Sequence, residues 1–314
     1  MRKLILLLFA SLLLVSCENS LSDTIDRMMN ISTEDPFGSV STNTFLFDSG
    51  AVTVNRQSGG DFSFVIVTDL HFGSDSERAD SEFISWFGAN CSTDVDFVAS
   101  LGDSTDYSTK EQFQEYYDTI VSPIESSWSI PVITLMGNHD SVNGGLKYYK
   151  SILGYTDSFF MFKCKDVEFY VIDNSLRTMG RRQLEYFKKA MAVAPASGTK
   201  RVVLSHIPIY GRISEVWGTL YDTLERAEIL EAYYQGGISL SLSGHVHRGI
   251  DPYSYSSRCR EYVLRSFVGG NSGSDHPRWY RADYDSAAGK LTITCYRCKD
   301  GNVSVSGSPV VFTL

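Results

Sequence analysis

The sequence predicts an α/β domain in which a second β-sheet packs against the first. Two observations carry this expectation. Between residues 62 and 247, buried-strand patterns alternate with helical ones. From residue 259 onward, short strand patterns follow one another with almost no helical spacing between them. Alternation of that kind lays helices on a sheet, and the later run of strands supplies a second sheet to cover it. The composition agrees: 314 residues, 43% hydrophobic and 21% charged, suffice for one sizeable core and show no fibrous or disordered bias.

Taken in order, TFLFD and AVTVN suggest a hairpin about Asp48-Ser49-Gly50. FSFVIVTD (62–69) is a buried strand, followed by helical spacing in SEFISWFGAN. VDFVASLGD (95–103) is the next strand. KEQFQEYYDTIVSPI is an amphipathic helix carrying Phe113, Tyr116, Tyr117 and Ile120. PVITLMGNHD (131–140) reads as a third strand. FFMFKCKDVEFYVIDNS reads as two strands about a Lys165-Asp166 turn, and RRQLEYFKKAMAVA as a helix. RVVLSHIP (201–208) is a strand, LERAEILEAYYQ a helix and ISLSLSGHVH (238–247) a strand. CREYVLRSFVGG, WYRADYD, KLTITCYRC and NVSVSG complete the chain as short strands.

The first residues do not belong to this core. Arg2 and Lys3 precede a stretch from Leu4 to Val15 that is apolar but for Ser11, too short to span a bilayer and patterned as a secretory signal. Leu14-Val15-Ser16-Cys17 resembles the lipobox of bacterial lipoproteins, which implies acylation of Cys17 as the new N-terminus. The expected organisation is therefore a signal peptide at 1–16, a lipidated polar tether at 17–43 and one folded domain at 44–314. The protein is expected in the bacterial cell envelope, held to a membrane through the lipid on Cys17. Loss of Arg2 and Lys3 takes the formal charge from −9 to −11. So acidic a chain is a poor partner for nucleic acid, whose binding rests on phosphate neutralisation.

Five cysteines remain after Cys17, an odd number that leaves at least one thiol unpaired. Cys295 and Cys298 lie in an alternating strand pattern, which puts their Cα atoms about 10 Å apart on opposite faces. That is beyond the reach of a disulfide without a sharp bend, so the cysteines are read as structural.

The chemistry is concentrated where the predicted strands end. Their C-terminal ends carry Asp69-Leu70-His71, Gly102-Asp103, Gly137-Asn138-His139-Asp140, His206, and Gly244-His245-Val246-His247. Five of the six histidines fall in these segments, and only His276 lies outside them. Open α/β sheets bind ligands beyond the carboxyl ends of their strands, so the loops converge on one region. Packing alone selects apolar residues at such positions; one histidine there would mean little, but the whole set points to a site. In an extended chain His245 and His247, two residues apart, face the same side. Imidazole, carboxylate and amide donors without thiolate suit Mn, Fe, Zn or Co. Seven candidate ligands exceed what one tetrahedral zinc takes, and suit two ions sharing a carboxylate.

In this order and at these strand ends, DLH, GD, GNHD, H and GHVH resemble the calcineurin-like metallophosphoesterases, from about residue 61 to about residue 250. The resemblance implies two packed mixed β-sheets flanked by helices, a four-layer α/β/β/α sandwich. It implies two divalent or trivalent ions, one held by Asp69, His71, Asp103 and His247, the other by Asp103, Asn138, His206 and His245. It implies that His139 assists the leaving group, that Asp106 orients His139, and that a metal-activated hydroxide attacks phosphorus in line. Asp140 either supports the site from behind or caps a helix. Protein serine/threonine phosphatases of this superfamily carry GDxVDRG and GNHE, whereas this chain has GDSTDYS and GNHD, which argues against that activity. Purple acid phosphatases place a metal-binding tyrosine where this chain has Asp106, with Tyr107 one residue late, so no iron-tyrosinate site is expected.

Arg248, Arg212 and Lys147 are candidate contacts for a substrate phosphate, Arg248 first because it follows His247 directly. The expected function is hydrolysis of a small phosphate ester, mono- or di-. The alternative is a lipoprotein that captures metal without hydrolysis. Asn138 beside an additional, non-ligand His139 separates the two, because a capture site has no use for that histidine.

Overall fold

A computed structural model describes residues 54, 60–210, 220, 222–254, 256–270 and 275–314. The signal, Cys17, the tether, nearly all of the expected 44–55 hairpin, and Arg212 lie outside the described residues.

The strands form two sheets. The first runs β12 (Asn302–Val305), β11 (Lys290–Lys299), β10 (Arg278–Asp285), β1 (Phe62–Val67), β2 (Phe97–Ser100), β3 (Val132–Thr134), with β13 (Val310–Thr313) also paired to β11. The second runs β4 (Phe160–Cys164), β5 (Val167–Val171), β6 (Lys200–Leu204), β7 (Ile238–Ser243), β9 (Arg260–Val263), β8 (Ile250–Ser254). Both are mixed. β1, β2 and β3 are parallel, as are β5, β6, β7 and β9, while β10, β4 and β8 join antiparallel.

Strict alternation along the inner strands explains the layers. In β1, Phe62, Phe64 and Ile66 enter the core between the sheets, and Val65 and Val67 face the other way into an outer core. In β6, Val202 and Leu204 point inward while Val203 packs outward. The centre is aromatic: Phe64 stacks on Phe97 at 4.6 Å and Phe162 on Phe169 at 5.0 Å, with Phe97 edge-on to Phe169 at 5.3 Å. Each such fully buried ring contributes about 1.5–3 kcal/mol.

Helices cover both outer faces, giving the four layers expected from the sequence. On the first sheet lie α1 (Asp80–Asn90) and a longer helical run opening with α2 (Lys110–Tyr116). That run continues as a π-helical turn, Tyr117–Val121, into α3 (Ser122–Trp128), where Ser122 N–H bonds back to Tyr117. Pro123 has no N–H to donate and crowds the carbonyl four residues earlier, and the wider turn before it absorbs that conflict. A further helix, α4 (Leu146–Leu153), buries Tyr149 in the inner core. On the second sheet, α5 (Gly180–Ala192) and α6 (Thr223–Gly236) pack Phe187 against Tyr233 at 5.7 Å.

Cys295 contacts the inner core while Cys298 is buried in the outer one, as two residues three apart on a strand must. Among the described residues the five cysteines are free thiols, and no helix is long and apolar enough to cross a membrane. The carboxyl ends of β1, β2, β3, β6 and β7 come together at one edge of the sandwich.

Candidate metal centre

The turns leaving these strands need unusual backbone. Asp69 (φ 55°), His71 (47°), Asp103 (50°) and His245 (65°) all adopt left-handed conformations, which cost roughly 1–3 kcal/mol each at non-glycine residues and persist only where their surroundings dictate them. Here the β1 and β2 turns zip together. Asp69 N–H bonds to the Gly102 carbonyl, His71 N–H to that of Asp103, and Phe72 N–H to that of Ser104, each at 3.0 Å. Two glycines permit the close approach. A methyl on Gly137 would collide with the backbone nitrogen and Oδ1 of Asp103, and one on Gly244 with Thr68 Oγ1 and Asp69 Oδ2.

Asp140 fastens the next turn to the same place, and it caps no helix. Its Oδ1 accepts from Thr105 N–H and Thr105 Oγ1–H, both at 2.8 Å; its Oδ2 accepts from Ser104 N–H at 3.1 Å and Gly137 N–H at 3.0 Å. Full burial, with the Asp103 charge adding to it, pushes its pKa up to about 6, so at neutral pH it is an anion held by four donors. Asp140→Asn presents an NH2 group or a single oxygen where two paired acceptors stood. Buried supports of this kind typically cost 10–100-fold when removed. Asp140→Asn is therefore expected to weaken Mn²⁺ binding by about tenfold or more, read by calorimetric titration.

The structure brings all seven expected ligand residues to this edge, six of them in groups of donors within 4.8 Å of one another and Asn138 against His206. In one group, His71 Nε2 lies 3.0 Å from His247 Nε2, and His247 Nε2 lies 3.4 Å from Asp69 Oδ1. In another, His206 Nε2 lies 3.1 Å from both Asp103 Oδ2 and Asn138 Oδ1, with His245 beside them. Asp103 faces both sides, its Oδ2 being 3.8 Å from His71 Nε2. His245 and His247 reach different neighbours for a reason the extended reading missed. β7 stops at Ser243, and the left-handed turn at His245 splits the pair. The Asp69 carboxylate accepts the His245 backbone N–H at 3.1 Å and so holds that turn.

Outer hydrogen bonds set the imidazoles. His206 Nδ1–H donates to the Leu101 carbonyl at 2.9 Å, which leaves Nε2 as the atom offered inward. His71 Nδ1 lies 3.3 Å from Asp106 Oδ1 and likewise turns Nε2 inward. His139 Nδ1 lies 2.8 Å from the Asp106 carbonyl and 3.5 Å from its carboxylate, so Asp106 serves two histidines, His139 chiefly through its backbone. Asp103 Oδ1 accepts His139 N–H at 2.7 Å, and Ser108 Oγ–H donates to the His139 carbonyl. Arg248 is exposed on the turn after His247, and Lys147 is exposed on α4. The end of β5 adds a residue the sequence reading passed over. Asn174 grips Ile207 twice, accepting its N–H at 3.0 Å and donating to its carbonyl at 2.6 Å, and so braces the His206 turn. Its only signal was a polar Asp-Asn-Ser at one more strand end.

The electrostatics are those of a cation site. Burial opposes ionisation of Asp69, but its hydrogen bond and proximity to His247 hold the carboxyl at about 2. Burial likewise opposes Asp103, and the neighbouring histidines, His206 first, hold it well below the carboxylate range. Burial disfavours the charged form of His206, yet Asp103 outweighs it and raises that imidazole to about 9. At pH 7 the metal-free site therefore keeps a proton on His206, and a metal needs the lone pair the proton occupies. Loading at pH 7 is expected to release about one proton at this position, and affinity should climb as pH rises toward 9. Calorimetry of Mn²⁺ binding in buffers of different ionisation enthalpy measures both.

The donor set is imidazole nitrogen with carboxylate and amide oxygen, and no thiolate lies in these groups. It fits Mn, Fe, Zn or Co.

The calcineurin-like phosphoesterase family model matches residues 62–249. Among solved structures, the chain is similar to the Plasmodium protein described as GAP50, the anchor in the inner membrane complex. That likeness has 14% identity over 81% of this chain and 89% of the other, with a TM-score of 0.56. Vps29 of Entamoeba histolytica complexed with zinc matches at 14% identity over 80% and 99% of the two chains, TM-score 0.43. A predicted phosphoesterase of Streptococcus pneumoniae matches at 10% identity over 82% and 100%, TM-score 0.43. At such identities the likeness to GAP50 concerns the fold alone. No curated protein sequence matches the chain.

Proposed function

Because this chain belongs to the calcineurin-like phosphoesterase family, we propose that it hydrolyses small phosphate esters, mono- or di-, at a two-metal site, tethered to an envelope membrane through Cys17. The observation that carries the reading is the position of Asp103 between two donor groups, one with His71 and the other with His206. In this reading Asp69, His71, Asp103 and His247 hold one ion, and Asp103, Asn138, His206 and His245 the other. A metal pair held there supplies Lewis-acid polarisation of the phosphoryl oxygens and acidification of water.

The chain's own residues do the rest. His139, its Nδ1 engaged by the Asp106 carbonyl, offers Nε2 to protonate the departing oxygen. Asp106 also keeps His71 aimed inward through its carboxylate. Arg248, exposed directly after His247 in the chain, is assigned to a free oxygen of the substrate phosphate. Among the described residues the cysteines are buried or part-buried. Burial raises the Cys91 thiol to about 11 and Cys164 to about 12, so neither serves as a nucleophile at neutral pH. Nothing in the family match or the geometry favours the metal-capture alternative.

An aryl phosphodiester and an aryl phosphomonoester, each assayed with added Mn²⁺, test the proposal. Release of the phenol from at least one is expected. Failure on both, with tight binding of a single ion, would overturn it.

A further inference from the structure

The edge opposite the metal site combines exposed apolar side chains with cations. β6, β7 and β9 run parallel, so their amino ends share that edge. The length of β7, Ile238–Ser243, sets it about 20 Å from the metal-bearing turns. There α5 gives way to a loop, Ala192–Ala196, whose run of apolar residues stands wholly in solvent, Val193 at 64% exposure. About four or more exposed apolar residues in a row are a liability in water that a folded chain keeps only for a use. α6 ends at the same edge and leaves Tyr234 55% exposed. The cations there are Lys189 in the last turn of α5, Lys200 opening β6, Arg260 opening β9, and Arg258, which lies over the Tyr234 ring at 6.0 Å.

Carboxylates do not cancel these cations. Glu228 is taken up by Lys188 at 2.6 Å and Glu168 by Arg201 at 2.9 Å, Glu231 stands a turn behind Tyr234, and Asp166 is matched by Lys165 in the same turn. The amino edge of the first sheet carries Asp61 and Asp96 instead, which confines the basic patch to the second sheet. An apolar loop, a tyrosine and a set of cations suit a bilayer interface: the loop enters the headgroup boundary, the phenol sits at headgroup level, and Lys and Arg meet lipid phosphates. The chain also arrives from Cys17 at this edge, because Gly60 precedes β1 and a methyl on it would stand 3.7 Å from Lys165 Nζ. We propose that this edge docks on a bilayer containing anionic lipid and so turns the metal site toward the aqueous side. This rests on the envelope tether of the reading above, since so small a patch holds a membrane only when an anchor keeps it close.

The test uses the acylated chain with vesicles of phosphatidylethanolamine and phosphatidylglycerol, and compares backbone hydrogen exchange with and without them. Amides of residues 192–198 and 256–260 are expected to slow by about fivefold or more, the worth of one cation at an anionic surface. The turns at 103–108, 138–143 and 245–249 are expected to exchange as they do in solution. Val193→Asp combined with Arg260→Glu is expected to abolish the slowing while the lipid keeps the chain on the vesicles. Vesicles of phosphatidylcholine alone are expected to weaken it by about fivefold or more. Slowing at the metal-bearing turns instead would place the other edge on the bilayer and overturn the inference. Slowing that grows with protein concentration and needs no vesicles identifies a second copy of the chain as the occupant, and overturns it as well. A vesicle-bound chain with no slowing overturns the docking and leaves the tether standing. A chain that does not sediment with the vesicles overturns both.

Discussion

His139→Ala lowers kcat by about 10²–10⁴-fold while the chain keeps its full complement of metal. The expectation follows from which atoms hold the ring. His139 is fixed through Nδ1 by the Asp106 carbonyl and through its backbone N–H by Asp103 Oδ1. Substitution by alanine retains the backbone bond, so Asp103 stays in place, and removes only the imidazole that exchanges a proton. The ring is near enough to His71 and Asp103 to be a further donor to a cation, which makes the metal content the deciding measurement. Elemental analysis after desalting, paired with turnover of an alkyl ester, separates the two roles. Loss of metal together with turnover would make His139 a ligand. The effect should be smaller for leaving groups of low pKa, which depart without protonation.

Asp103→Asn removes both metal binding and turnover. Its Oδ2 faces His206 at 3.1 Å and His71 at 3.8 Å, and its Oδ1 accepts the His139 N–H at 2.7 Å. An amide of the same shape keeps one oxygen and loses the charge that both groups share. Removing residues that merely orient ligands costs metal sites about 10–100-fold, so losing the shared ligand is expected to exceed about 100-fold in Mn²⁺ affinity. The apo protein also reports on this change. With Asp103 neutral, the charge that lifts His206 to about 9 is gone, and the His206 imidazole should titrate at lower pH by NMR. Unchanged titration would mean that the buried pair is not coupled as its geometry requires.

Much of this was legible in the residues because the physics is periodic or chemical. The apolar runs FSFVIV and RVVL marked buried strands, and the three-residue spacing of Cys295 and Cys298 put them on opposite faces. The polar residues at strand ends stood out against the apolar residues that packing would choose. What the sequence hid is local backbone. PVITLMGNHD and ISLSLSGHVH read as strands running through their histidines, but β3 ends at Thr134 and β7 at Ser243. Left-handed turns at Asp103 and His245 have no compositional signature, since only their tertiary partners make them affordable. The same holds for Asp140. As a residue type it suits a helix N-cap, and only the folded chain shows four donors from two loops meeting on it. Asn174 gave no more than a polar strand end as a signal, because its role is exercised on Ile207, distant in the chain.

The central claim is that one metal pair, assembled around Asp103, hydrolyses phosphate esters. Titration of the metal-free chain with Mn²⁺, with bound metal and aryl ester hydrolysis followed in the same samples, tests it most directly. The account predicts that hydrolysis saturates at two ions per chain and vanishes when they are chelated away. Saturation at one ion without turnover, or hydrolysis that persists in the metal-free chain, would contradict it.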